Sequence, residues 1–293
     1  MLNGLAAEFP QVRECFAEAS TALGFDLWEL VSAGPDDKLN QTEHTQPAML
    51  AAGVAVWRVW RAQGGPLPAI MAGHSLGEYT ALVCAEALDF RAAILLVRDR
   101  GRFMQAAVPA GEGAMAAILG LDDEVVVRVC AEQAQGEVVA AVNFNSPGQV
   151  VIAGHAAAVQ RAVDAAKIAG AKRAVVLPVS VPSHCALMQG AAQQMAQRVA
   201  QVEVRAPRIP VIHNASVTTA DTPAAVRANL VEQIHAPVRW VETIKKMTAE
   251  GVDKLIECGP GRVLAGLNKR IAPAPTHPVY DAVTLSQARA ALG

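Results

Sequence analysis

The sequence has 293 residues, of which 52% are hydrophobic and 18% are charged, so it is long enough to bury the core of one large domain with an insert, or of two domains. Its formal net charge of −2, without long basic or acidic runs, argues against a nucleic-acid partner. No leader pattern opens the sequence and no apolar run is long enough to cross a bilayer, so we expect a cytoplasmic chain without a membrane partner.

The cysteines fit a reducing compartment. Their odd total and lack of short paired spacings argue against a disulfide framework and against a cysteine zinc site, so no bound metal is expected. The five positions are Cys15, Cys84, Cys130, Cys185 and Cys258.

The opening of the chain is predicted to be mostly helical. Apolar residues recur at helical spacing over 5–23 and 47–63, followed by a short strand at 69–72. Two further helices are predicted at about 75–86 and 90–105.

A nucleophile-elbow pattern, G-x-S-x-G, lies between that strand and the next helix. Gly73 and Gly77 allow a tight reversal that places the Ser75 hydroxyl at a helix N-terminus, where amide hydrogens favour developing negative charge. Ser75 is therefore the first candidate nucleophile. The pattern alone fits a structural corner with an N-capping serine equally well.

The helix at 90–105 carries one arginine on its packed side. Arg98 and Arg102 share the polar side with Arg91, whereas Arg100 falls on the side expected to be buried. A guanidinium there needs a counter-charge, and no acidic residue lies one helical turn away. Either a distant carboxylate pairs with Arg100, or the carboxylate of a ligand does.

The middle of the chain follows the order β-α-β-β-α-β. The reversal at Asn145-Ser146-Pro147-Gly148 joins the two central strands. This order predicts a ferredoxin-like subdomain at 109–179, inserted into a large hydrolase-like α/β domain with a parallel sheet, made of 1–108 and 180–293. The predicted elements are strand 114–120, helix 122–134, strands 138–143 and 149–154, helix 156–170 and strand 173–179.

A serine nucleophile needs a nearby base, and His184 is the favoured candidate among seven histidines. It follows the last strand of the insert and is predicted to begin a helix, whose N-terminus would keep the imidazole neutral. His74 adjoins Ser75 but should point elsewhere and orient the turn. The remaining histidines are assigned surface or core positions.

The last part of the chain returns to the large domain. Cys258 to Gly261 is interpreted as a tight structural turn, with a backbone anion site as the alternative. The tail from Ala272 is rich in proline and alanine and is expected to pack loosely. The predicted elements are helix 186–202, strand 209–213, helices 222–235 and 238–250, strand 253–257 and a helix from Arg262.

Five motifs together resemble the malonyl-CoA:acyl carrier protein transacylases of bacterial type II fatty acid synthesis. They occur in the family's order across nearly the whole chain, which makes the combination far more specific than any one of them. The motifs are Gly73-His-Ser-Leu-Gly-Glu-Tyr-Thr80, the Arg100-Gly101 pair, Asn143-Phe-Asn-Ser-Pro-Gly-Gln-Val-Val-Ile-Ala-Gly154, Val181-Pro-Ser-His-Cys185 and Glu257-Cys-Gly-Pro-Gly261.

The resemblance implies a malonyl group carried on Ser75, with His184 as general base and Arg100 binding the malonyl carboxylate. It also implies malonyl-CoA and holo acyl carrier protein as partners, with the coenzyme A thioester as substrate and no separate cofactor. A monomer is expected. Further substrate-binding candidates are the Leu76 amide as an oxyanion donor, Gln46 and Gln233 near the site, and Asn143 and Ser183 in the pocket wall.

The sequence departs from the family at its start, where the family has a strand and a Gly-Gln-Gly-Ser-Gln loop. The first glutamine of that loop supplies a second oxyanion donor, and loss of one such donor costs about 3–4 kcal/mol in the barrier. Lower activity and an exposed sheet edge are therefore expected. Two alternatives stay open, a serine thioesterase or hydrolase, and a non-catalytic module that binds carrier protein.

Overall fold

The computed structural model describes residues 1–179 and 181–293. Within them the helices are α1 Asn3–Glu8, α2 Pro10–Leu23, α3 Leu27–Ala33, α4 Asp36–Leu39, α5 Thr42–Ala62, α6 Gly77–Cys84, α7 Phe90–Ala106, α8 Asp123–Gln133, α9 Ala156–Ile168, α10 Gln189–Val199, α11 Pro223–Glu232, α12 Trp240–Ala249, α13 Val263–Asn268 and α14 Ala282–Leu292. The strands are β1 Met71–Ala72, β2 Gly113–Leu119, β3 Val139–Ser146, β4 Gln149–His155, β5 Arg173–Val176, β6 Val211–Ile212, β7 Leu255–Cys258 and β8 Thr276–Val279.

The strands form parallel and antiparallel sheets, so the predicted mixed α/β class is confirmed. β1 pairs in parallel with β6, and β7 pairs in parallel with β8. The other four strands form one antiparallel sheet in the order β3-β4-β2-β5.

The segment that forms the antiparallel sheet follows the predicted order of elements, β2-α8-β3-β4-α9-β5. Pro147 and Gly148 make the turn between β3 and β4, and Gly148 has a φ of 70°, which glycine adopts without strain. Side chains from α8, α9 and the sheet form their own core, which includes Val126, Ile152 and Ala162. Position 180, where the large domain was predicted to resume, lies outside the described residues.

The largest hydrophobic core is formed mainly by helices of the first part of the chain. α5 packs against α7, α2 and α6, and this region forms the largest hydrophobic core. The single run predicted over 5–23 is wrong, because the chain is extended at Phe9 and α2 starts afresh at Pro10, a favoured first residue of a helix. The predicted helix from 47 begins earlier and contains Pro47 in its interior.

The expectation of a loosely packed tail from Ala272 is also wrong. β8 pairs with β7, and α14 begins with a capping box in which Asp281 and Thr284 bond each other's backbone amides. Leu285 and Ala288 of α14 are buried in the large core. Proline and alanine content predicted mobility here, but strand pairing and burial order the segment.

A cavity of about 860 Å³ separates the two parallel pairs of strands. Residues of β1 and β7 line it, and each of these strands pairs on one side only among the described residues. Its wall includes Gly73, His74 and Leu76, so the cavity lies directly beside the serine turn. In the part of the chain that the structure describes, no helix is both long and apolar enough to span a lipid bilayer.

Candidate active site

Ser75 lies in a sharp turn between β1 and α6. Its φ of 49° is in the left-handed region, a strained conformation for serine that a nucleophile elbow requires. Gly73 is required by close packing, since a Cβ there would lie 2.0 Å from the Gly77 backbone. Asn214 holds the turn from both sides, because its Oδ1 accepts the Ser75 amide at 2.6 Å and its Nδ2 donates to the Gly73 carbonyl at 2.7 Å.

His184 meets Ser75 although 109 residues separate them. The Ser75 Oγ lies 2.8 Å from His184 Nε2. The other ring nitrogen, Nδ1, is 2.7 Å from the Gln233 carbonyl, which can only accept, so Nδ1 carries the proton. Nε2 therefore presents its lone pair to the serine hydroxyl, as a general base must.

Burial and the nearby Arg100 guanidinium lower the pKa of His184 from 6.5 to about 3. The imidazole is therefore neutral at pH 7. The sequence attributed this neutrality to a helix N-terminus, and a 3-10 turn over Ala186–Met188 follows His184 and leads into α10. Desolvation of the ring is the larger cause, and the positive charge is the second.

Arg100 is 2% exposed and reaches the serine from α7. Its Nη1 donates to Gln46 Oε1 at 2.8 Å, while its Nη2 donates to Gln233 Oε1 at 2.8 Å and to Ser75 Oγ at 3.3 Å. Within residues 1–179 and 181–293 it forms no ion pair with a carboxylate, and its Nε has no acceptor. Burial lowers the pKa of this guanidinium. Of the two alternatives for its counter-charge, a distant carboxylate in direct contact is excluded for the described part of the chain.

The other candidates separate into two groups. Gln46 and Gln233 contact Arg100, and the Leu76 amide lies at the start of α6, beside the nucleophile. The Asn143 and Ser183 side chains make no hydrogen bond to Ser75, His184 or Arg100 among the described residues. Ser183 Oγ donates instead to the Val181 carbonyl at 3.4 Å, and Asn143 Oδ1 is buried without a partner.

His74 points away from the serine, as the sequence indicated. Its Nε2 lies 2.7 Å from Asn145 Oδ1, and its ring packs against Trp240. Burial lowers the pKa of this imidazole. His74 thus ties the serine turn to β3.

Sequence reasoning missed three residues beneath the turn. Glu78 is completely buried, and its carboxylate accepts hydrogen bonds from His213 Nδ1 and from the Asn214 amide. Glu78 is visible in the Gly73–Thr80 motif as an acidic residue in the first turn of a helix, a pattern common on exposed helix ends. Nothing in the sequence marks His213 or Asn214.

Together these groups form a site in which a serine can attack the acyl carbon of a substrate that also carries a negative charge. The serine hydroxyl has a neutral base within hydrogen-bond distance, and an incompletely paired cation lies on its other side. A substrate with an electrophilic carbonyl and a carboxylate complements both features.

Comparison with known proteins gives a consistent result. The profile of the family described as Acyl transferase domain matches residues 5–274. The chain is 56% identical over 276 residues to the malonyl CoA-acyl carrier protein transacylase of Salmonella typhimurium, an alignment that spans 94% of this chain and 89% of that relative. It is 43% identical over 268 residues to the transacylase of the same name from Bacillus subtilis, covering 91% and 84% of the two chains.

Solved structures resemble the chain over almost its full length. The malonyl CoA-acyl carrier protein transacylase of Coxiella burnetii superposes with a TM-score of 0.98 at 49% identity, covering 99% of this chain and 92% of that one. A malonyl-transacylase solved in complex with a type II PKS acyl-carrier protein also gives a TM-score of 0.98, at 55% identity, with coverages of 99% and 94%.

Proposed function

The chain belongs to the acyl transferase domain family, and we propose that it transfers a malonyl group from malonyl-CoA to the phosphopantetheine thiol of acyl carrier protein. The observation that carries this proposal is the position of Ser75 Oγ, 2.8 Å from a neutral imidazole nitrogen and 3.3 Å from a buried guanidinium. The names of the relatives agree with this activity.

In the first half of the reaction, Ser75 Oγ attacks the malonyl thioester carbon while His184 Nε2 takes the hydroxyl proton. The Leu76 amide, which follows the nucleophile at the start of α6, donates to the oxyanion. The intermediate then collapses, the carbon–sulfur bond breaks, and the proton on His184 passes to the departing coenzyme A sulfur. Ser75 is left as its malonyl ester.

Arg100 selects the acyl group. A malonyl carboxylate pairs with the buried guanidinium, whereas an acetyl group leaves that charge unpaired away from water. The same pairing offsets the positive charge that lowers the pKa of His184, so the carboxylate also makes the base stronger. Selection therefore operates on binding and on proton transfer.

In the second half, the thiol of the carrier's phosphopantetheine gives its proton to His184 and attacks the malonyl ester. The ester bond breaks, Ser75 Oγ recovers the proton, and the malonyl group leaves on the carrier. The solved complex of a similar malonyl-transacylase with a carrier protein supports such a partner. Every group used in these steps comes from one chain, so a monomer suffices.

Two features of the site oppose hydrolysis: among the described residues Arg100 is paired with the amides of Gln46 and Gln233 instead of a protein carboxylate, and the base is buried. A hydrolase pocket gives water free access to the acyl ester, but here His184 is 3% exposed. Retention of Arg100 without a protein carboxylate also favours a substrate with its own negative charge. A malonyl transferase is therefore favoured over a thioesterase.

The architecture supports a division of labour within the chain. The sheet order β3-β4-β2-β5, with α8 and α9 on one face, fits a ferredoxin-like subdomain at 109–179. β1, β6, α6 and α7 fit a hydrolase-like unit built from 1–108 and 180–293, which supplies Ser75 and Arg100.

Product analysis tests the proposal. The chain is mixed with malonyl-CoA, with and without holo acyl carrier protein, and malonyl carrier and free malonate are quantified. Transfer predicts malonyl carrier as the main product and little malonate when carrier is withheld. Rapid malonate release without carrier would establish hydrolysis, and carrier binding without any acyl product would establish a non-catalytic module.

A further inference from the structure

Glu78 is a buried carboxylate that touches neither Ser75 Oγ nor His184. It is 0% exposed and accepts three hydrogen bonds, from His213 Nδ1 at 2.7 Å, the Asn214 amide at 2.9 Å and Gln233 Nε2 at 3.1 Å. No lysine or arginine lies within ion-pair distance of it in the described part of the chain. Burial of a carboxylate costs free energy of desolvation, so a role for Glu78 and its three partners is expected.

One of those partners links Glu78 to the substrate site. Because an ionised carboxylate only accepts hydrogen bonds, Gln233 must present its amide nitrogen to Glu78. The Gln233 Oε1 consequently faces Arg100 Nη2, at 2.8 Å. With the opposite amide orientation, an NH₂ group would face the guanidinium donors. Gln233 Nε2 also donates to the Ser75 carbonyl at 3.2 Å, so Glu78 and this carbonyl together set which end of the Gln233 amide meets Arg100.

Because Gln233 separates Arg100 from Glu78, the guanidinium keeps donors that a substrate carboxylate can use. Glu78 and Arg100 are buried opposite charges, but the Gln233 side chain lies between them and bonds both. A direct ion pair would neutralise the guanidinium and occupy its donors. With an amide between them, Glu78 supports the positive charge while leaving donors of Arg100 for a substrate carboxylate.

A second set of contacts runs from Glu78 to the nucleophile. The backbone amide of Asn214 donates to Glu78, and the side chain of Asn214 forms hydrogen bonds with the backbone of Ser75 and of Gly73. The left-handed conformation of Ser75 is strained and persists only where its surroundings hold it. Glu78 therefore supports both halves of the site.

We propose that Glu78 is a positioning residue for the malonyl-transfer reaction, which orients Arg100 through the Gln233 amide and thereby sets the preference for acyl groups that carry a carboxylate. This inference rests on the proposed function. It assigns Glu78 a role in selectivity that a purely structural carboxylate does not have.

The test compares acylation by malonyl-CoA and acetyl-CoA, scored by intact-protein mass spectrometry, in the Glu78→Gln variant. His213 bonds one carboxylate oxygen, and the Asn214 backbone amide and Gln233 Nε2 bond the other. An NH₂ group in place of that second oxygen faces both of its donors, so Gln233 loses this acceptor and can reorient. The ratio of malonyl to acetyl acylation should fall roughly 10- to 100-fold, the effect of mispairing one or two buried hydrogen bonds. In an Arg100→Ala background, Glu78→Gln should leave the ratio unchanged, because the residue through which it acts is gone.

Glu257→Gln is the matched control. Glu257 is a half-buried carboxylate that accepts the Leu264 and Ala265 backbone amides at the start of α13, and among the described residues it forms no hydrogen bond to the site. This variant should lose stability and keep the acyl preference. If Glu78→Gln does not fold, Gln233→Met cuts the same link while keeping the backbone carbonyl that bonds His184, and it should show the same fall.

An unchanged ratio in Glu78→Gln, or in Gln233→Met where the first variant is unfolded, would overturn the positioning role while leaving the proposed function intact. An equal fall in Glu257→Gln would overturn it as well, because any buried carboxylate would then suffice. Failure of the unaltered chain to accept a malonyl group would instead refute the proposed function, and the inference with it.

Discussion

Replacement of Arg100 by alanine removes a buried cation beside the nucleophile. Three of the guanidinium's five donors are used, one by Gln46, one by Gln233 and one by Ser75. The Nε hydrogen and one Nη1 hydrogen are left without a described acceptor. A malonyl carboxylate can displace the weak contact to Ser75 and accept hydrogen bonds from the Nη2 hydrogen that this releases and from the free Nη1 hydrogen.

The size of the effect follows from those hydrogen bonds. Each bond to a charged group is worth about 1.5–3 kcal/mol net, so two of them stabilise the bound malonyl group by roughly 3–4 kcal/mol after desolvation of the carboxylate. Arg100→Ala should therefore lower kcat/KM for malonyl-CoA by about 10²–10³-fold. For acetyl-CoA kcat/KM should stay level or rise, because no charge is left unpaired and the pKa of His184 moves up.

Steady-state transfer to holo carrier protein, measured with malonyl-CoA and acetyl-CoA in parallel, tests whether Arg100 binds the malonyl carboxylate. Arg91→Ala is the control, since Arg91 lies on the same helix but its side chain is 63% exposed and pairs with Glu18. The control should retain the preference of the unaltered chain. If Arg100→Ala keeps a strong preference for malonyl over acetyl groups, Arg100 does not bind the carboxylate.

Three further predictions concern the base, the turn and the tail. By NMR, the His184 ring should stay neutral between about pH 8 and pH 5, and its pKa should rise in Arg100→Ala; titration near the ordinary 6.5 in the unaltered chain would contradict the assigned causes. Gly73→Ala places a Cβ 2.0 Å from the Gly77 backbone and should slow acylation at least about 100-fold, whereas Gly77→Ala, whose Cβ meets nothing within 4 Å, should lose far less; equal losses would refute the steric argument. Asp281→Ala should lower the free energy of unfolding in urea by about 1 kcal/mol by removing the cap of α14, and no change would mean that the tail does not contribute to stability.

Much of the fold was predictable where local pattern and tertiary packing agree. The strand, turn and helix around Ser75 follow from two glycines and a change of apolar period, and Pro147-Gly148 predicts the hairpin. The tail was not predictable, because β8 is a four-residue strand containing Pro278 that exists through its pairing with β7. Such pairing depends on distant residues rather than on local composition.

The candidate site also combines residues that local sequence predicts with contacts that it does not predict. Ser75 and Arg100 carry local signals, a turn motif and a charge on a packed helix face. His184 is marked by its sequence context, but the cause of its low pKa, burial beside Arg100, exists only in three dimensions. Asn214 supports Ser75 from 139 residues away, and no local pattern predicts that contact.

Malonyl transfer through this site requires that Ser75 carries the malonyl group. After brief incubation with malonyl-CoA, the chain is quenched, digested and analysed by peptide mass spectrometry, with Ser75→Ala treated identically. We expect one malonyl group on the peptide containing Ser75, its loss when holo carrier protein is added, and no such adduct in Ser75→Ala. A malonyl group on another residue, or an undiminished adduct in Ser75→Ala, would contradict it.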